Sequence, residues 1–106
     1  MDKKIAPSTN YREWLLEHLS DPDQACSYLE VAIEEYEEDG VKEAFLLALR
    51  NVVNAQGGIA EIAQRTGLAR EHLYTALSKK GNPRLDTVSK ILHSMGFRLS
   101  VTRPPA

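Results

Sequence analysis

The stretch Ile59–Ser78, IAEIAQRTGLAREHLYTALS, decides how this chain is read. Its apolar spacing gives two short helices joined by a tight turn, a helix-turn-helix. Ala63 is small enough to let the two helices cross closely. Gly67 follows four residues later, where the turn needs a positive φ that glycine adopts without steric cost. Ile62, Leu68, Leu73 and Leu77 supply apolar contacts between the two helices. That arrangement places Ala69 to Thr75 at the start and on the exposed face of the second helix, where such motifs enter the major groove of DNA.

The side chains on that face suit base readout. Arg70 can donate twice to guanine O6 and N7. Glu71 can accept from cytosine N4, or it can cap the helix or orient Arg70. Tyr74 and Thr75 lie one turn further on. Tyr74 suits a phosphate or a base edge, and Thr75 a thymine methyl. Ala69, Arg70, Glu71, Tyr74 and Thr75 are therefore the expected base-reading positions. Phosphate contacts are expected from Lys79, Lys80, Asn82 and Arg84 in and beside the following loop, and from His72. They are also expected from the backbone N–H groups of Gly58 and Ile59 at the start of the first helix. Each lysine can equally be a solvated surface cation.

Outward from this motif, charge is divided along the chain. The 106 residues carry a formal net charge of only −2, which alone argues against a nucleic-acid partner. Residues 1–48, however, hold 12 acids and 4 bases, whereas residues 49–106 hold 3 acids and 9 bases. The basic portion coincides with the motif, as phosphate binding requires. The acidic portion reads either as solvated helix faces or as a docking surface for a basic protein.

Length and composition indicate one domain's worth of chain, able to bury roughly 60–70 % of its unfolded surface. The apolar fraction of 42 % and charged fraction of 26 % are ordinary for a globular protein. No apolar run approaches the about 20 residues that cross a bilayer, so no membrane association is expected. The start, MDKKIAPSTN, has two lysines with no apolar stretch behind them, so no signal peptide is expected. The single cysteine, Cys26, excludes an internal disulfide and a thiolate zinc site, and it reads as core or near-core. A cytoplasmic location is the expectation.

No catalytic constellation emerges. His18, His72 and His93 lack metal-ligand spacing, Ser78 has no base near it in sequence, and Glu34–Asp39 lacks the spacing of a calcium loop. The expectation is a non-enzymatic protein with no metal and no cofactor.

The remaining elements are helical. Met1 to about Thr9 reads as a frayed tail. Tyr11–Leu19 forms a short helix with Trp14 or Leu15, and Leu19, on its inner face. Ser20 or Asp21 caps a helix that begins near Pro22 and runs to about Glu38, with Ala25, Leu29, Ala32 or Ile33, and Tyr36 inward. Val41 to about Ala55 buries Phe45, Ala48 or Leu49, and Val52. Leu85–Met95 buries Leu85, Val88, Ile91 or Leu92, and Met95. Phe97–Thr102 changes period, with Phe97, Leu99 and Val101 alternating with polar residues as in a half-buried strand. A lone strand needs a partner, so a homodimer is expected through Phe97, Leu99 and Val101. The alternative is an extended tail lying on the chain's own helices. The expected fold is all-α: a helix-turn-helix bundle with extra N-terminal helices and one short C-terminal strand. Residues 1–40 form an acidic helical segment, and residues 41–106 hold the DNA-binding motif and the strand, as one compact unit.

Residues Gly57 to Leu99 resemble Cro/repressor-type DNA-binding domains. More narrowly, GLAREHLYTALSKKGNPRLDTVSKIL, with SDPDQACSYLEVAIEE and FLLALRNVV before it, resembles HigA-like addiction-module antidote proteins, the antitoxins of bacterial toxin–antitoxin operons. The likeness covers about residues 11–101. It implies a small basic toxin of the RelE/ParE-like type as partner, and autorepression of the operon by a dimer on an inverted-repeat operator in double-stranded DNA. Thr75 stands where a basic residue is common in the family, and His72 where a small polar one is common; both bear on the operator sequence. Two other functions fit the residues: a stand-alone phage- or operon-type transcriptional repressor, and a protein-interaction adaptor whose helix-turn-helix no longer binds DNA.

Overall fold

A computed structural model describes residues 9–105. The tail expected for Met1 to about Thr9 lies outside these residues, except that Thr9 opens the first helix. Six helices follow one another: α1 Thr9–Leu19, α2 Pro22–Asp39, α3 Lys42–Ala55, α4 Gly58–Thr66, α5 Arg70–Ala76 and α6 Leu85–Ser94.

Local chemistry sets the α2 boundaries. Of the two candidate caps, Asp21 is the one used: its carboxylate accepts the Asp23 N–H at 2.9 Å, with Pro22 in the first turn. The Ser20 hydroxyl instead donates back to the Glu17 carbonyl at 2.6 Å. Gly40, at φ 69°, stops the helix by donating its N–H to the Tyr36 carbonyl.

The helices assemble around α3. α1 and α2 pack against it and against each other, and α4 packs against it and carries α5 and α6. Leu49, Val52 and Val53 of α3 are fully buried and meet Leu19 from α1, Ile62 from α4, Leu73 and Leu77 from the α5 region, and Ile91 from α6 in one apolar core. Each such side chain stabilises the fold by about 1.5–3 kcal/mol through removal from water. Polar ties reinforce the α3 junctions. The Gln56 amide donates to the Leu19 carbonyl at 2.9 Å and the Ser20 carbonyl at 3.2 Å. Buried Asn51 donates to the Tyr28 hydroxyl at 3.1 Å.

Of the two candidates on α1, Leu15 turns inward and Trp14 is exposed. The helical periods mark the other inner faces well, with three departures. Tyr36, expected inward, is 38 % exposed, because the buried stripe of α2 stops at Ala32. Cys26 is exposed, not near the core, because it follows core-facing Ala25 by one residue and a step of roughly 100° rotates it into solvent. Leu85 is also exposed, at 74 %, because as the first residue of α6 it lies beyond the buried stripe of Val88, Ile91, Leu92 and Met95.

The expected C-terminal strand is not formed. Among the described residues there is no strand, and 98–105 run as irregular chain. The Phe97 N–H reaches back to the Leu92 carbonyl at 2.9 Å, and its ring packs on the core. Beyond it the backbone meets no neighbouring strand within the chain, and alternation of side chains without a ladder does not make a strand. Leu99 is 42 % exposed and Val101 97 % exposed, so the tail does not lie down on the helices either.

Candidate nucleic-acid interface

Two short helices and the loop after them form this region. α4 begins after Gly57, whose φ of 127° admits a sharp entry. A side chain there would also meet Glu61 Cγ at 2.8 Å. No side chain caps this end, and the Ile59 side chain is buried, so Gly58 and Ile59 offer backbone N–H groups only. At the other end Gly67, φ 78°, donates its N–H to the Ala63 carbonyl. The Thr66 hydroxyl donates to the Ile62 carbonyl at 2.7 Å and accepts the Leu68 N–H at 3.2 Å. These bonds rotate the chain through the turn, where Leu68 packs on the core and Ala69 is extended.

α5 is then fixed by what it buries. Leu73, Ala76 and Leu77 are inside. Arg70, Glu71, Tyr74 and Thr75 therefore share the outer face, and all are exposed, as are Ala69 and His72. Arg70 also borders an open cleft of about 410 Å³ between the start of α5 and Ala60, Glu61, Ala63 and Gln64 of α4. Glu71 caps nothing: α5 has no side-chain cap, and among the described residues it forms no ion pair with Arg70.

The loop after α5 folds back over it. Ser78 donates its hydroxyl to the Thr75 carbonyl at 2.8 Å, and the Gly81 N–H bonds the Ser78 carbonyl at 2.9 Å. Gly81 is buried, and a Cβ there would collide with the Ala76 carbonyl, so only glycine permits this approach. Lys79, Lys80, Asn82 and Arg84 are thereby held on the surface next to the end of α5, with Arg84 3.5 Å from Asp86.

Two residues not among the sequence candidates hold the region in place. Arg50 of α3 donates to the Leu77 carbonyl at 2.6 Å, which fixes the end of α5 to the central helix. Arg65 bonds Glu61 at 3.0 Å and the Ser94 carbonyl at 3.0 Å, tying α4 to the last turn of α6. A signal existed for Arg50: it is a lone cation inside the apolar run FLLALRNVV. None existed for Arg65, because its Ser94 partner is 29 residues away. Phe97, Leu99 and Val101 lie outside this region, on the segment after α6.

The architecture is thus an all-helical protein with an acidic pair of N-terminal helices and a basic, helix-presenting C-terminal half. Residues 13–103 match the model of a family described as "Probable addiction module antidote protein", and the chain belongs to that family. It is also 35% identical over 85 residues to an uncharacterized protein of Haemophilus influenzae, covering 80% of this chain and 82% of that protein. No solved structure matches the chain significantly. Among the described residues, no helix is long and apolar enough to cross a membrane.

Proposed function

We propose that the protein is a HigA-like antitoxin that binds double-stranded DNA through a Cro/repressor-type helix-turn-helix formed by α4 and α5. The observation that carries this reading is the orientation of α5. Its inner face is consumed by Leu73, Ala76 and Leu77, which leaves Arg70, Glu71, Tyr74 and Thr75 together on the outer one. In the major groove Arg70 pairs with guanine, Glu71 accepts from cytosine, and Ala69 and Thr75 meet thymine methyls, while Tyr74 reaches a base edge or phosphate. His72, Lys79, Lys80, Asn82, Arg84 and the N–H groups of Gly58 and Ile59 hold the phosphates.

Residues 41–106 form the DNA-binding unit, and residues 1–40 serve a protein partner, a small basic RelE/ParE-like toxin. The protein is non-enzymatic, acts in the cytoplasm and represses its own operon. Two copies address an inverted repeat with half-sites about one helical turn, ~34 Å, or a multiple apart. They meet through the segment after α6, where Phe97 anchors the chain and Leu99 and Val101 offer exposed apolar surface.

The test is binding of the purified protein to the DNA upstream of its own gene, followed across salt concentrations. A specific complex at low salt is expected. Lys79→Ala weakens every sequence alike and lowers the salt slope by about 0.9 for the lost phosphate contact. No complex at low salt would refute the DNA reading.

A further inference from the structure

The antiparallel pair α2–α3 leaves an open groove of about 350 Å³ on its outer side, lined by Tyr28, Val31, Ala32, Glu35, Ala44 and Ala48. Its floor is apolar, because small alanines keep the two helices from filling it. Val31 is 54% exposed, and Leu47, one turn from Ala44, is 47% exposed. The Asn51–Tyr28 hydrogen bond fixes the spacing of the helices at one end.

The charge around the groove selects its occupant. α2 carries seven acids and no base, and all seven are exposed. Nucleic acid is excluded by repulsion. A second copy seated on the same face would oppose one seven-acid helix to another. A basic segment with apolar side chains at helical spacing satisfies both the floor and the rim. We propose that this groove is the docking site for the basic protein partner, which lays an amphipathic, lysine- or arginine-rich segment between α2 and α3. This rests on the antitoxin reading above and adds to it the surface that does the neutralising. None of its lining residues belongs to α4 or α5, so DNA and the partner engage different parts of the molecule at once.

Ala44 is exposed, so Ala44→Arg places a long cation in the groove without disturbing the core. The probe is the purified small basic protein encoded beside this gene, titrated into the full-length chain and followed by amide chemical shifts. Wild type is expected to show changes concentrated on Tyr28–Glu35 and Ala44–Ala48. Ala44→Arg is expected to weaken binding at least tenfold while leaving DNA binding unchanged. Glu35→Lys, a surface exchange, is expected to weaken binding and flatten its salt dependence. Binding to wild type that both variants retain, or shifts confined to α1 or α5, would overturn the groove while leaving the antitoxin reading standing. Broadening of the groove signals with protein concentration alone would assign it to a second copy and overturn the proposal. Absence of any binding to wild type would remove the antitoxin reading itself, and the groove assignment with it.

Discussion

Helix α2, packed on α3, and helix α5, packed on α4, solve opposite problems. α2 is long, capped at both ends and uniformly acidic, and it buries only the small stripe of Ala25, Leu29 and Ala32. α5 is a seven-residue helix with no side-chain cap. On its own so short a helix would not persist in water. It exists because Leu73 and Leu77 are fully buried and because Arg50 holds its last carbonyl from α3. The difference teaches that the acidic surface draws on local helix signals, whereas the proposed reading head is created by tertiary packing.

The largest expected effect comes from the core that both helices share. Leu49→Ala removes a fully buried side chain from α3 and should cost about 2–5 kcal/mol of stability, measured by urea denaturation followed by circular dichroism. A loss below about 1 kcal/mol would mean that the shared core is not joined through this residue. Next in size is Arg70→Ala, an exposed position whose loss should leave stability unchanged. It should weaken specific DNA binding by about 1–3 kcal/mol and relax one base position, read by competition with operator variants. Uniform weakening across all sequences would make Arg70 a phosphate contact.

The smallest effect on stability is expected at the tail. Leu99→Ser combined with Val101→Ser touches side chains that are largely in solvent, so the monomer fold should be intact. Light scattering should nevertheless report a fall from two chains to one. A mass that stays at two chains would place the dimer contact elsewhere.

Much of this organisation was legible in the order of residues. The spacing of Leu73 and Leu77 sets which side of α5 is outward, and Gly67 marks its turn; both are local features. The division of charge at about residue 48 is a property of the sequence itself. What was not legible depends on residues far apart in the chain. Whether alternation at 97–102 becomes a strand depends on a neighbouring strand, and none exists within the described chain. Arg65 and Ser94 meet only after α4 and α6 have packed. Leu85 and Cys26 each continue a plausible apolar pattern, but one lies at a helix end and the other a single step off the core stripe. Period alone does not say where a stripe stops. The groove between α2 and α3 is likewise a product of pairing: Ala32 and Ala48 are buried, and exposed Ala44 joins them in one lining only once the two helices meet.

The most direct measurement of the central claim, that α5 and the α2–α3 groove serve different partners, is fluorescence anisotropy of a labelled fragment of the gene's own upstream DNA with three proteins. Wild type and Ala44→Arg should bind with the same affinity, and Arg70→Ala about 5- to 150-fold more weakly, the equivalent of about 1–3 kcal/mol. Equal binding by Arg70→Ala, or a comparable loss in Ala44→Arg, would contradict the assignment of DNA to the α5 side.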